Sequence, residues 1–238
     1  MRYIFLILAV IFSLFVAQAQ RSVNKSIPAT GIEQLSLKAE YASITVKTWE
    51  QNTIDVVGTI NVFDNTQNDA FQWKYDKVGS TINMESSLEG WKKEQNYWKE
   101  EADCCKKRQI DIKLVIKMPK NIALKMRSTY GSIEVENVET ALDILNTYGS
   151  VDVIFSRLPK TELRLESTYS HVDISVPKSA KASFTLKTPY GEVLTDMPLE
   201  VKAGKRSSKS TLVAHLNGGG TAVYAEAGYN TIYLRELE

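Results

Sequence analysis

The sequence predicts an all-β fold made of stacked strand–turn–strand units, and three observations lead there. A tyrosine-centred octapeptide recurs along the chain, and the residues flanking it alternate apolar and polar with period two. Helix-compatible stretches are nearly absent, with 91–103 the one exception.

The repeat is plainest in Ser128-Thr-Tyr-Gly-Ser-Ile-Glu-Val135, Asn146-Thr-Tyr-Gly-Ser-Val-Asp-Val153 and Ser167-Thr-Tyr-Ser-His-Val-Asp-Ile174. Thr188-Pro-Tyr-Gly-Glu-Val-Leu-Thr195 is a looser copy, Ala39-Glu-Tyr-Ala-Ser-Ile-Thr-Val46 an early one and Ala227-Gly-Tyr-Asn-Thr-Ile-Tyr-Leu234 a late one. Degenerate copies lie around 52–56 and 220–223. The central tyrosines are 18, 21 and 21 residues apart, one supersecondary unit each, too small to bury a core alone.

Before each tyrosine the inward positions are Ile122, Leu124 and Met126, then Leu142 and Ile144, Leu163 and Leu165, Phe184 and Leu186. After the turn they are Ile133 and Val135, Val151 and Val153, Val172 and Ile174, and Val193. The residue after the tyrosine is mostly Gly or Asn, as a bend with left-handed backbone angles selects, though Ala42 and Ser170 also occur there. Units of about twenty residues stacked on one another form a β-solenoid with like residues in columns.

Residues 1–19 read as a secretory leader. Arg2 precedes an apolar run from Tyr3 to Val16, and Ala17-Gln18-Ala19 is a small-x-small cleavage signal, placing the mature start at Gln20. The run is shorter than a spanning helix needs, no cysteine follows it, and no later stretch is long and apolar enough to cross a bilayer as a helix. Removal of Arg2 leaves basic and acidic residues equal in number. That balance and the lack of a basic stripe exclude a nucleic-acid track. Residues 20–238 then form a single β-solenoid domain with a charged aromatic insertion at 88–108.

These turns resemble the bacterial putative-adhesin β-strand-repeat family, exported domains of unknown function related to the head GIN domain. Tyr41-Ala-Ser-Ile-Thr-Val-Lys-Thr-Trp49 followed by Asn52-Thr-Ile-Asp-Val-Val-Gly58 looks like that family's first turn, and the resemblance runs over roughly 32–234. It implies a right-handed, single-stranded β-helix-like solenoid at the periplasm or surface of a bacterium, and it carries over no catalytic motif.

Six tyrosines, Tyr41, Tyr130, Tyr148, Tyr169, Tyr190 and Tyr229, form a candidate column. An aromatic platform for sugar rings is one reading, but their parity continues the inward face of the preceding strand and assigns them to packing. Ser128, Asn146, Ser167 and Thr188, two residues earlier, are inward polar groups that must bond to neighbouring turns, a structural ladder rather than a row of nucleophiles. Glu134, Asp152 and Asp173 share an outward position about 4.8 Å apart across parallel strands. A calcium site needs a recognised ligand loop that the chain does not offer, so a solvated face with lysine neighbours is expected. His171 reads as an exposed turn residue and His215 stands alone, so neither zinc nor a catalytic histidine is supported.

The insertion carries eleven charges with Trp91, Tyr97 and Trp98, residues that anchor interfaces, and is the leading candidate contact surface. Its alternative is a hairpin excursion whose rings pack back on the solenoid edge. Adjacent Cys104 and Cys105, beside Lys106, Lys107 and Arg108, suit intermolecular pairing, a redox-labile vicinal disulfide or a soft metal. An incidental pair in an exposed loop is the reading adopted. The expectation is an exported, non-catalytic, adhesin-like binding or structural protein without cofactor or metal. Its partner would be an envelope protein, a surface polysaccharide or itself. A carbohydrate-active enzyme on the same scaffold, or a structural or sensing component docking through edge strands at 20–38 and 231–238, are the alternatives.

Overall fold

A computed structural model describes residues 21–90, 110–201 and 210–237. The described residues form nineteen strands and a single 3₁₀ turn, Asn68–Ala70. The first seven strands are β1 (Arg21–Pro28), β2 (Gln34–Ala39), β3 (Ala42–Trp49), β4 (Thr53–Val62), β5 (Phe71–Val78), β6 (Thr81–Leu88) and β7 (Ile110–Pro119). The repeat region supplies β8 (Ala123–Ser128), β9 (Ile133–Glu136), β10 (Leu142–Asn146), β11 (Val151–Ile154), β12 (Leu163–Ser167), β13 (Val172–Val176), β14 (Ala182–Lys187) and β15 (Val193–Thr195). The last four are β16 (Glu200–Val201), β17 (Thr211–Leu216), β18 (Thr221–Ala227) and β19 (Ile232–Glu236).

Two sheets share these strands. One runs β1-β4-β7-β3-β9-β11-β13-β19-β15, the other β5-β6-β2-β8-β10-β12-β18-β14-β17-β16. Each tyrosine turn carries the chain from the second sheet to the first, so β2/β3, β8/β9, β10/β11, β12/β13, β18/β19 and β14/β15 are rungs of one stack. Strand β6 and then β7 make a seventh rung. Rungs pair in parallel, in register: Leu142 lies between Leu124 and Leu163, and Val151 between Ile133 and Val172. Antiparallel strands close both ends, β4 and β1 beyond β7, β5 beyond β6, and β17 and β16 beyond β14.

The period-two pattern drives this stacking. All the inward positions named from the sequence are buried, save Val193 on the last short strand, which is half-buried. One buried column runs Ile82, Leu35, Leu124, Leu142, Leu163, Val223, Phe184 across successive rungs. A parallel strand buried on its inner face and half-covered outside reads as these do, and a one-residue slip would turn every such side chain to solvent.

Rung order departs from chain order in two places. Strand β7 lies between β3 and β4, and the β18/β19 rung lies between β12/β13 and β14/β15. A solenoid wound rung after rung does neither. Of the edge strands expected from the sequence, β1 is an edge, whereas β2 and β19 are interior and paired on both sides. Equal rung spacing explains the freedom, since any rung with the same inward pattern fits beside any other.

Candidate functional site: the tyrosine ladder

The six turns bring six rings into one stack. Centroids are 4.9 Å apart from Tyr41 to Tyr130, 4.9 Å to Tyr148, 5.0 Å to Tyr169, 5.1 Å to Tyr229 and 4.9 Å to Tyr190, with interplanar angles of 8 to 10°. That step matches the spacing of parallel strands, so the backbone sets the ladder. The rings are not on the inward face that strand alternation projects. Each strand ends two or three residues before its tyrosine, and the ring leaves the bend toward solvent, 41% exposed at Tyr130 and 74% at Tyr190. Among the described residues, the hydroxyls of Tyr130, Tyr148, Tyr169, Tyr190 and Tyr229 make no hydrogen bond.

Beneath the rings the inward polar residues hold the turns together. Asn146, fully buried, donates through Nδ2 to the carbonyl of Gly131 at 2.8 Å and to that of Ser150 at 3.1 Å. Ser167 donates to the Gly149 carbonyl and Thr188 to the Asn230 carbonyl, both at 2.9 Å. The bonds to Gly131, Gly149 and Asn230 tie a turn to the one beside it, while Oδ1 of Asn146 stays buried without a hydrogen-bond partner among the described residues.

The glycine after the tyrosine has a different reason from the one its composition suggested. Only Gly131 among these turn residues has a positive φ, 93°. At Gly131, Gly149 and Gly191 a Cβ would fall on the carbonyl of the neighbouring rung's turn, those of Ala42, Gly131 and Asn230 respectively. Close approach selects the small residue at all three, and left-handed geometry adds to it only at Gly131.

Beside the ladder, Glu134, Asp152 and Asp173 do stack in register on the outer face of the first sheet. Their partners are not lysines. Thr45 donates to Glu134 at 3.3 Å, Ser150 to Asp152 at 2.7 Å, and Arg235 pairs with Asp173 at 2.8 Å. His171 is half-buried with Nε2 3.1 Å from Asp152, its ring edge-on to Tyr233 at 5.8 Å, so it is a partner of the acid column and not a free turn residue. Burial pushes the Asp173 carboxyl up, Arg235 pulls it back, and the net shift is upward. His215 lies in β17, its Nδ1 buried without a hydrogen-bond partner among the described residues.

On the second sheet, burial and a hydrogen bond to the Glu226 carboxylate push the Tyr224 phenol far up. Burial opposes ionisation of Glu226, but bonds from Tyr224 and Lys187 outweigh it and hold that carboxyl low. The Lys187–Glu226 pair joins neighbouring rungs β14 and β18 across the outer face, whereas Tyr224 and Glu226 share one strand.

Trp91, Tyr97, Trp98, Cys104 and Cys105 lie outside the described residues. The strands flanking them are described: β6 ends at Leu88 and β7 begins at Ile110, the rung beside Tyr41's own. In that rung Leu88, buried, holds the position that tyrosine holds elsewhere.

Residues 110–224 match the family model described as Toastrack DUF4097. That segment is similar to the Toastrack family. The match contains Tyr130, Tyr148, Tyr169 and Tyr190, whereas the rungs of Tyr41 and Tyr229 complete the same stack from outside the matched segment. Among solved structures, a putative cell adhesion protein from Clostridium sporogenes is similar to this chain with 15% identity and a TM-score of 0.64, over 92% of this chain and 100% of that one. At that identity the likeness is one of fold. A putative adhesin from Bacteroides fragilis covers 92% of this chain and 99% of its own at 9% identity, TM-score 0.37. Another, from Parabacteroides merdae, covers 92% and 97% at 10% identity, TM-score 0.26. No curated protein matches the chain.

Proposed function

We propose that the chain is an exported, non-catalytic binding or structural protein of the bacterial cell envelope, adhesin-like, contacting envelope protein or polysaccharide. The observation that carries this reading is the ladder: six ring edges, five of them with hydroxyls unbonded among the described residues, presented in one line by paired backbone. Rigid rungs hold such a surface at no ordering cost on binding, which favours affinity from modest contacts. The leader at 1–19 supports export, and the name of the Clostridium sporogenes structure agrees with adhesion. In this reading residues 20–238 are one domain, a right-handed β-solenoid-like stack, and Trp91, Tyr97 and Trp98 are a second candidate contact.

Affinity capture from the envelope fraction of the producing cell tests it. Residues 20–238 serve as bait beside a version with 89–107 replaced by a Gly/Ser linker and a version carrying Tyr148→Arg and Tyr169→Arg. A partner lost with the arginine pair and kept without the loop places the contact on the ladder. A partner lost only with the loop moves it to the insertion. No envelope partner for any bait, together with turnover of a polysaccharide by the purified chain, would replace the reading with an enzyme.

A further inference from the structure

We infer that the tyrosine ladder binds an extended, neutral β-1,4-linked glycan, one sugar to each rung. This rests on the reading of the chain as an envelope-binding protein and names the ligand class.

The geometry first removes the usual mode of aromatic sugar recognition. A sugar ring stacks on the face of an aromatic ring, and along the row neighbouring tyrosines cover one another's faces at 4.9 to 5.1 Å, which leaves an outer face open only at the ends, as at Tyr190. What the ladder offers is edges, a line of phenol hydroxyls flanked by ring C–H groups of positive partial charge. A line of evenly spaced hydroxyls recognises a polymer whose own polar groups recur at that step or at a whole multiple of it.

Two candidates of the right shape differ in that step. An extended peptide repeats every two residues, about 6.7 Å, and falls out of phase with the ladder within two rungs. An extended β-1,4-linked glycan advances about one rung per sugar, and because successive sugars are turned over, the same edge returns at every second sugar, close to every second rung. An α-1,4-linked chain of the same sugars coils and cannot follow a straight line.

Charge narrows the class further. The turns around Tyr130, Tyr148, Tyr169 and Tyr229 supply Thr129, Thr147, Thr168, Ser132 and Thr231, and His171 is their one ionisable side chain besides the tyrosines. Within the turns acids appear only at the two ends, Glu40 and Glu192, and the column of Glu134, Asp152 and Asp173 lies beside them. A hydroxyl-lined strip without cations suits a neutral polyol and gives an anionic polymer nothing to pair with.

The test is calorimetric titration of residues 20–238 with β-1,4-linked N-acetylglucosamine oligomers of two to eight sugars, with α-1,4-linked glucose hexamer as control. Affinity should climb with length up to six sugars and level off there, and the α-linked hexamer should not bind. The triple variant Tyr130→Phe, Tyr148→Phe, Tyr169→Phe keeps the stack and removes three hydroxyls. It should melt at the parent's temperature and bind the hexamer at least about tenfold more weakly, each lost hydrogen bond accounting for roughly two- to tenfold. No binding, binding without length dependence, equal binding of the α-linked hexamer, or an unaffected triple variant would each overturn the inference. Capture of an envelope protein through the ladder, with the oligomers inert, would overturn it too while leaving the broader reading intact.

Discussion

Tyr169 stacks on Tyr229 at 5.1 Å, and Tyr190, its nearer neighbour in the chain, stacks on the far side of Tyr229 at 4.9 Å. The last rung of the sequence therefore fills an internal place in the stack. Val172 pairs with Ile232, and Leu163 with Val223, where a sequentially wound chain would use residues of β14 and β15.

Removal of residues 217–238 should accordingly abolish cooperative unfolding. The loss empties core positions Val223, Ala225, Ala227, Ile232 and Leu234 and leaves β12, β13, β14 and β15 unpaired where they had met β18 and β19. A thermal melt followed by circular dichroism checks this. Removal of 20–28, which takes only the edge strand β1, should keep a cooperative transition at a lower temperature.

Gly149→Ala should lower stability by about 1–3 kcal/mol or more, in the range of overpacked sites. The new methyl meets the carbonyl of Gly131 and, at 2.7 Å, Nδ2 of Asn146, neither of which can withdraw without breaking the rung. Gly31→Ala is the control: its φ of 73° strains any side chain, but nothing lies within 4 Å of the added methyl. Chemical denaturation should rank the two, with Gly149→Ala the more damaging.

Asn146→Asp should destabilise more than Asn146→Ala. The side chain faces two carbonyl oxygens, and a carboxylate offers them no donor. Burial beside those oxygens raises the new carboxyl's folded pKa, so its stability contribution is present below the unfolded value of about 4 and lost as pH rises through the folded one. Melting temperatures of the two variants should converge near pH 3 and separate by pH 7. Equal behaviour at both would contradict the role assigned to Asn146.

Asp173 supplies a pH test on the outer face. Its folded pKa is raised, chiefly by burial, so the protonated form is the one the fold favours and stability falls as pH climbs through that range. Asp173→Asn, a neutral isostere, should raise the melting temperature at pH 7 and leave it unchanged near pH 3. A lower melting temperature at pH 7 would mean that the pair with Arg235 outweighs burial.

Strand positions and core parity were legible because a two-residue alternation admits one inward face, and Leu124, Leu142 and Leu163 occupy it. The tyrosine column was legible as a recurrence, but its exposure was not. Alternation stops being a guide once the strand ends at Ser128 or Ser167, and only the bend decides where Tyr130 or Tyr169 points. Rung order left no trace in the sequence, because Val223 and Ile232 carry the same inward pattern as Phe184 and Val193. The pairing of His171 with Asp152 was hidden for a like reason: the two meet across neighbouring rungs, not along one strand. A hint of Asn146's buried role did exist, in a polar residue falling on inward parity.

The inserted β18/β19 rung also governs when the protein can fold. A chain made or threaded N-terminus first reaches β14 and β15 with their places open, and docking waits for residues 221–236 to emerge. Until then the exposed edges of β12 and β13 are free to recruit other chains, so nascent molecules need a holding partner or rapid completion. Such contacts between distant segments make closure slow relative to local pairing.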